Sequence, residues 1–402
     1  ATIQRPLHCG SRMGPHAASQ LLRSAMPLRS VLPSVTALTQ LGSTMRASAC
    51  AAGSAGGGKA WRLSASVVVL APHKSVPDCE FSDAAVRDAE FDYRVCCVKR
   101  AARSSFMPDT MVFPGGVVEA EDVESAAVLL GSERADLNAT LRCAAVREAF
   151  EESGIGIFQP HLELSREEHV EWRGRVHADP AQFRALCQER DTAPSVQSLD
   201  FWCSFITPDV EHAKLAKGGF DARFYVCCAS EAQLRWAASD KQETSSLVWM
   251  TPGEALAAVA AGRISMVPPQ WYILRELADS CPRMAEVRAW AAGPQRALQR
   301  EYPIKPYPVA LPRTEQAALL QRQRGSGAAK AASAGSKEPT AFALCFPGDE
   351  AHPVFPGPEG ARHRLLMVGV FGGPTAFELQ RDTMPQLPLR EAQQGWYQLA
   401  KL

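Results

Sequence analysis

The sequence predicts an α+β sandwich, and three features of the chain support this class. Short runs rich in β-branched and aromatic residues recur from residue 64 to residue 251. Two segments that begin with proline, 252–262 and 268–278, have helical spacing. Strands and helices do not alternate strictly, so the pattern favours an α+β arrangement over a parallel α/β fold.

The composition narrows the functional class. Lys plus Arg and Asp plus Glu number 43 each, which argues against nucleic-acid binding through a broad basic surface. No apolar run is long enough to cross a bilayer. The 12 cysteines include no CxxC pair, so we expect buried thiols in a reducing compartment and neither a disulfide framework nor a zinc site.

The first elements lead into a long helix. Residues 64–72 and 92–101 are β-rich, and 106–118 is an extended stretch interrupted by two glycines. The helix is predicted over about 138–153, with Asn138 as its N-cap and Gly154 after its end. The further predicted strands are 155–159, 198–208, 222–230 and 246–251, and the segment 165–190 is charged and helical.

The flanking segments differ from this central part in composition. Residues 1–60 are rich in Ser, Ala, Gly and Arg, and the first acidic residue of the chain is Asp78. This is typical of an organelle transit peptide or a disordered leader. The rest of the predicted organisation is a main domain over 61–280, a helical extension over 281–323, a low-complexity linker over 324–339 and a small β unit over 340–402.

Three glutamates share one face of the long helix. Glu148, Glu151 and Glu152 are three and four residues apart, so their carboxylates lie together. Like charges at this spacing repel by roughly 0.2–0.5 kcal/mol per pair. The face is therefore either solvated or a site for a cation.

Residues 147–155, REAFEESGI, together with the upstream pair Gly115-Gly116, resemble the Nudix box. The second half of the box is complete. In the first half Asp122, beside Glu121, occupies the position of the first glutamate, and 24 residues separate Asp122 from Arg147 where the box has seven. The sequence thus has an insertion, over about 123–139, which a surface loop tolerates at low cost in closure entropy. Either Glu121 or Asp122 could take the role of the first glutamate.

This resemblance implies a Nudix α/β/α sandwich with a mixed sheet and a site for Mg²⁺ or Mn²⁺. Hard divalent cations prefer carboxylate and carbonyl oxygens, and they stabilise charge on phosphoryl groups. The implied metal ligands are Glu151, Glu152, Glu148 and the carbonyl of Gly116. Glu148 would alternatively orient the water, and Arg147 would hold a glutamate through a bidentate contact.

A general base is expected from a later loop, as in many members of this family. Glu243, which lies just before a predicted strand, is our candidate, and Glu211 is the second choice. An ordinary surface role is open for both residues.

Segments beyond the box, among them DFWCSFITP and PPQWYILRELA, are similar to the peroxisomal coenzyme A diphosphatase branch of the family. That similarity implies cleavage of coenzyme A or acyl-CoA to 3′,5′-ADP and (acyl-)4′-phosphopantetheine. Cations for the phosphates would come from Lys99, Arg100 and Arg103, and Gly115 would let the backbone approach the substrate. Ser105 and Asp109 occupy the positions where related diphosphatases have a signature Arg and Gly.

Two other functions stay open at this point. The first is hydrolysis of ADP-ribose, a dinucleotide or a capped RNA end, and the second is a non-catalytic binding module on the same scaffold. Trp249, Trp271 and Tyr272 could stack on adenine or belong to the core.

The last three residues, Ala400-Lys401-Leu402, are a near match to the Ser-Lys-Leu peroxisomal signal. We therefore expect recognition by the peroxisomal import receptor and a peroxisomal location. The acid-free leader makes the mitochondrion or a plastid the alternative.

Overall fold

A computed structural model describes residues 59–79, 90–102, 107–131, 136–293, 296, 303–323, 340–369 and 375–381. Residues 1–58 of the predicted leader, the linker 324–339, Arg103, Ser105 and the C-terminal tripeptide lie outside the described residues. Within those ranges, no helix has both the length and the apolar character that a membrane span requires.

The centre of the fold is a mixed β-sheet. Its strands are β1 (Arg62–Pro72), β2 (Tyr93–Arg100), β3 (Thr110–Val112), β4 (Gly115–Val117), β7 (Asp200–Ile206), β8 (Phe220–Cys228), β9 (Thr244–Met250) and β10 (Ser265–Met266). The order is β10-β3-β2-β1-β8-β7, with β4 also paired to β1 and β9 to β2. β1 is parallel to β8 and antiparallel to β2, so the predicted mixed sheet is confirmed. A separate small pair joins β5 (Phe158–Gln159) to β6 (Ala193–Pro194).

Both faces of this sheet are buried, as the uninterrupted apolar run of β1 requires. Val67 and Val69 face one hydrophobic cluster, and Val68 and Leu70 face the other. The helices of the central part are α1 (Ala120–Leu129), α2 (Leu137–Ser153), α3 (Arg166–Ala178), α4 (Ala181–Glu189), α5 (Asp209–Lys214), α6 (Glu231–Leu234), α7 (Pro252–Ala260) and α8 (Pro268–Ser280). Residues of α2 lie in the first cluster and residues of α7 and α8 in the second, which confirms the predicted sandwich.

The glycine pair lies where β1 changes partners. The first half of β1 pairs with β4, so that Ser66 faces Gly115. Its last residues pair with β2, so that Leu70 faces Val95. β2 and β4 therefore separate between Ser66 and Leu70 of β1. This separation leaves the backbone of the glycine pair accessible to the helix α2.

The insertion in the box is not the surface loop that we expected. Its first residues, 123–129, belong to the helix α1, which starts at Ala120, before the insertion. At the start of this helix the carboxylate of Asp122 accepts a hydrogen bond from the N–H of Glu119. The start of α2 also differs from the prediction, because Asp136 and not Asn138 accepts the N-cap hydrogen bond. Its end is as predicted: Gly154 has φ 68°, the left-handed conformation that glycine adopts easily.

The C-terminal part forms a second sheet against the main domain. This sheet has the order β11 (Tyr307–Ala310), β12 (Thr340–Cys345), β13 (His363–Gly369) and β14 (Thr375–Arg381). The segment 281–323, expected to be a helical extension, contributes β11 as well as the helices α9 (Met284–Ala292) and α10 (Arg313–Gln323). Phe346 and Leu365 belong to the same hydrophobic cluster as Trp202 and Tyr272, so the small β unit extends the main core.

Candidate active site

The three glutamates of α2 are inside the protein. Glu148 and Glu151 are each 9% exposed and Glu152 is 3% exposed. If these carboxylates had no cation or hydrogen-bond donor as a partner, the helix face would lie in solvent, because burying an unpaired carboxylate is costly. The solvated alternative from the sequence is therefore excluded, and each carboxylate must be satisfied by specific contacts.

Arg147 supplies most of these contacts. Its Nη1 lies 2.9 Å from Oε1 of Glu148 and 3.2 Å from Oε2 of Glu151. Its bidentate contact, however, goes to Asp122, with Nε and Nη2 at 2.8 and 2.9 Å from the two oxygens. The prediction that Arg147 makes a bidentate contact with a glutamate is therefore wrong, because its bidentate partner is Asp122. Asp122 is fully buried whereas Glu121 is partly exposed, so Asp122 is the acid that Arg147 holds.

The glycine pair meets the same carboxylates. The N–H of Gly115 donates to Oε2 of Glu152 at 3.0 Å. At Gly116 a Cβ atom would come within 2.5 Å of Cδ of Glu148. Gly116 therefore leaves the space that the Glu148 carboxylate occupies, and the side chains of α2 lie directly against the turn.

Burial makes the charged form of these carboxylates unfavourable. It raises the pKa of Glu148 to about 8, with the neighbouring Glu151 and Asp122 adding to the effect and Arg147 opposing it. Burial and the proximity of Glu148 raise the pKa of Glu152 well above its ordinary value. Opposite charge would relieve this repulsion. The donor set, carboxylates beside a glycine backbone, fits a hard divalent cation.

The carboxylates are engaged by protein groups in this structure. Among the described residues, no three side chains of His, Cys, Asp or Glu form a ready ligand set. Arg147 instead contacts both Glu148 and Glu151. Binding of an ion would exchange some of these contacts for metal–oxygen bonds, while the bidentate pair of Arg147 with Asp122 could persist.

Two other predicted site residues lie close to the cluster. Arg100 ends β2 and is paired in register with Thr244 at the start of β9. The charge of Arg100 lowers the pKa of Glu152, and the charge of Glu243 raises the pKa of both Glu151 and Glu152. The structure therefore brings Arg100 and the exposed Glu243 to the carboxylates of α2.

Other predicted residues lie elsewhere. Lys99 precedes Arg100 on β2, and the register of β2 with β9 shifts between these two residues. The ammonium of Lys99 contacts Asp109 at 3.2 Å. Glu211 lies on α5, where its carboxylate contacts Lys214 at 3.6 Å. Arg103 is outside the described residues.

The aromatic residues considered for adenine stacking are core residues. Trp271 and Tyr272 lie in the cluster under α7 and α8, and Trp249 lies in the cluster under α2. A cavity of about 350 Å³ lies beside Trp249, and Ser239, Lys241 and Ser246 contribute to its wall. These residues flank Glu243 on the same segment, so the cavity adjoins the loop that carries the candidate base.

Sequence reasoning missed three residues of α3 that contact the end of α2. The side chains of His169, Arg173 and His177 bond to Gly154 and Glu151. Their spacing of four residues could have shown that they share one face of a helix. Nothing in the sequence indicated which element this face would meet.

The sequence is similar to one family of known proteins. The model of the NUDT19 Nudix domain family matches residues 61–139 and 130–277. The acyl-coenzyme A diphosphatase NUDT19 of Gallus gallus is 32% identical over 237 residues, which cover 47% of this chain and 62% of the relative. The protein of the same name from Xenopus laevis is 29% identical over 235 residues, covering 48% and 61%. Less than two thirds of each of these two relatives is matched.

A similar solved structure is that of a Nudix hydrolase from Alicyclobacillus acidocaldarius. Its TM-score is 0.46 at 20% identity, and the match covers 57% of this chain and 96% of that one. The family model is the stronger finding, because its matches extend from residue 61 to residue 277, more than half of the 402 residues. The chain therefore belongs to the Nudix hydrolase family and carries a NUDT19 Nudix domain.

Proposed function

We propose that the chain is a divalent-metal-dependent diphosphatase that acts on coenzyme A and acyl-CoA. Water adds to one phosphorus of the diphosphate, and the bridging oxygen leaves with the other phosphate. The products are 3′,5′-ADP and 4′-phosphopantetheine or its acyl form. The observation that carries this proposal is the burial of Glu148, Glu151 and Glu152 against the Gly115-Gly116 turn. The substrate is inferred from the names of the relatives.

The residues that would hold Mg²⁺ or Mn²⁺ are Glu148, Glu151, Glu152 and the carbonyl of Gly116. Once bound, the ion would neutralise charge on the phosphoryl oxygens and make water a stronger nucleophile. Arg147 keeps Glu148 and Glu151 together through its contacts at 2.9 and 3.2 Å, so that the carboxylates are arranged before the ion arrives.

Two residues outside α2 would act on the substrate and on water. Arg100, half-buried beside Glu152, would bind a phosphate oxygen of the diphosphate. Glu243 is exposed and close enough to Glu151 and Glu152 to affect the pKa of both. It would accept the proton of the attacking water as a general base.

A substrate panel tests this function. Purified protein with Mg²⁺ or Mn²⁺ is incubated with coenzyme A, acetyl-CoA, ADP-ribose, a dinucleotide and a capped RNA, and products are identified by mass spectrometry. We expect 3′,5′-ADP from coenzyme A and its ester. Cleavage of ADP-ribose, the dinucleotide or the cap while coenzyme A stays intact would instead support the alternative substrates. Absence of cleavage throughout would support a binding module.

The site assignment has its own test. Glu151→Gln and Glu152→Gln each remove a negative charge while keeping the side-chain shape, and we expect turnover to fall by about two orders of magnitude or more. Exposed Glu231→Gln is the matched control, with turnover within about twofold. Unchanged turnover in both site variants would refute the assignment.

A peroxisomal location is part of the proposal, based on Ala400-Lys401-Leu402 and its recognition by the import receptor. A fluorescent protein inserted into the predicted linker 324–339, which leaves both ends of the chain free, tests it with and without these three residues. We expect a punctate peroxisomal signal that disappears on truncation. A mitochondrial or plastid signal that does not depend on the tripeptide would favour the leader.

A further inference from the structure

The helix α3 presents three polar side chains to the end of α2. His169, Arg173 and His177 are four residues apart, and they form one stripe along α3. Nε2 of His169 lies 3.0 Å from the carbonyl oxygen of Gly154. Nη2 of Arg173 donates to the carbonyl oxygen of Glu151 at 2.8 Å, and Nδ1 of His177 lies 2.8 Å from Oε1 of the Glu151 carboxylate.

Two of these contacts satisfy backbone groups that the helix itself cannot satisfy. The carbonyl groups in the last turn of an α-helix have no partner within the helix. Arg173 donates to the carbonyl of Glu151 through both Nη2 and Nε, at 2.8 and 3.2 Å. A cation at this end of a helix is also favourable electrostatically. Arg173 thereby fixes the backbone of a residue that carries a site carboxylate.

The third contact fixes the carboxylate itself. Oε2 of Glu151 accepts from Arg147 at 3.2 Å, and Oε1 pairs with His177 at 2.8 Å. Because an ionised carboxylate only accepts hydrogen bonds, Nδ1 of His177 carries the hydrogen. The two oxygens of Glu151 therefore have partners on two helices, Arg147 on α2 and His177 on α3, and the side chain is held from two directions.

Gly154 permits this close approach of the two helices. A Cβ atom at this position would lie 3.0 Å from Cε1 of His169 and 3.1 Å from Nη1 of Arg173. The residue thus serves both the left-handed turn that ends α2 and the packing of the stripe.

We propose that His177 is a positioning residue for Glu151, and that Arg173 fixes the backbone of Glu151 for the same purpose. The helix α3, outside the Nudix box, would then set the affinity for the divalent ion. Partners behind a metal ligand fix its orientation, and their loss typically weakens metal binding by about 10–100-fold. This inference rests on the proposed metal site.

The test measures Mn²⁺ binding without substrate, by electron paramagnetic resonance of free Mn²⁺. His177→Ala removes the donor, and we expect the affinity to fall by about 10-fold or more. His177→Asn places an amide N–H near the position of Nδ1 and should recover most of the affinity, whereas His177→Gln, with its amide farther out, should recover less. Exposed His161→Ala is the control and should bind as the wild type does.

Folding and hydrolysis are followed in the same variants. Thermal unfolding shows whether each variant is folded, and the comparison of the Asn and Gln variants decides the point if His177→Ala does not fold. We expect the Mn²⁺ concentration for half-maximal hydrolysis to rise in His177→Ala, with kcat at saturating metal changed by less than about threefold.

The possible failures are distinct. If the wild type binds Mn²⁺ and hydrolyses the substrate, but His177→Ala and His177→Gln bind as tightly as the wild type, the positioning role is refuted and the proposed function stands. Equal weakening in the Asn and Gln variants would also refute it, because hydrogen-bond position would then be irrelevant. If the wild type itself binds no Mn²⁺, the proposed function fails and this inference fails with it.

Discussion

Arg147, a residue that is 2% exposed, places its guanidinium group among three carboxylates. Arg147→Met keeps similar volume and removes the charge, so Asp122, Glu148 and Glu151 lose their shared partner. Breaking a buried ion pair by removing one partner costs about 3–5 kcal/mol, and we expect a loss of this size in the free energy of unfolding. Urea denaturation at neutral pH measures it.

Arg147→Lys is the second variant in this experiment, because lysine keeps the charge but cannot form the two parallel hydrogen bonds to Asp122. It should lie between the wild type and Arg147→Met. A loss below about 1 kcal/mol in the Met variant would show that the carboxylates do not depend on Arg147.

The two neighbouring glycines should respond differently to substitution. A Cβ atom at Gly115 would come within 2.5 Å of the carbonyl oxygen of Ala65, which is backbone of β1, so Gly115→Ala should lower the stability of the fold. A Cβ atom at Gly116 meets the side chain of Glu148, which can turn away. Gly116→Ala should therefore reduce turnover by about tenfold or more while the melting temperature changes little.

Activity assays and thermal unfolding on both variants check this contrast. Equal loss of stability at the two positions would contradict it, because the obstacle at Gly115 is backbone and the obstacle at Gly116 is a movable carboxylate.

At the scale of the elements, particular pairs of residues show which helix ends and contacts could be predicted from the sequence and which could not. The end of α2 was predictable because Gly154 has a distinct conformational role, but its start was not, since Asp136 and Asn138 are both good caps two residues apart. Glu121 and Asp122 are adjacent acids, and only the rotation of α1 decides which one faces Arg147. The contact of His177 with Glu151 joins residues 26 apart, and it depends on how two helices pack.

The helix α3 offers a test of its own. Gly174 lies between Arg173 and Arg175 on the exposed side, and a Cβ atom there would meet nothing within 4 Å. Gly174→Ala should stabilise the protein by about 0.4–1 kcal/mol, because alanine loses less conformational entropy in a helix than glycine does. Urea denaturation measures the gain. A loss of stability would mean that α3 does not keep this helical form at Gly174.

At the scale of the whole molecule, the C-terminal sheet is joined to the main domain by packing and by a polar contact. Phe346 packs edge-on against Tyr272 with ring centroids 5.1 Å apart. The hydroxyl of Tyr272 lies 3.1 Å from Nε2 of His363, whose Nδ1 lies 3.0 Å from the carbonyl oxygen of Pro347. The carbonyl can only accept, so Nδ1 carries the hydrogen and Nε2 accepts from the tyrosine.

This arrangement requires a neutral imidazole and makes the stability depend on pH. Burial lowers the pKa of His363 to about 4, against about 6.5 in an unfolded chain. Because the folded pKa is the lower one, the contribution of His363 to stability is fully present above about pH 6.5 and is lost as the pH falls towards 4. Between about pH 7.5 and pH 5 this loss should be roughly 2 kcal/mol.

The prediction is checked by urea denaturation at these two pH values for the wild type and for His363→Gln, which can keep hydrogen bonds to Tyr272 and Pro347 but does not titrate. Burial also lowers the pKa of His169 to about 4, so part of the acid sensitivity should persist in the variant. We expect the wild type to lose more stability than His363→Gln over this range. Identical losses would show that His363 can be protonated without disturbing the junction of the sheet with the main domain.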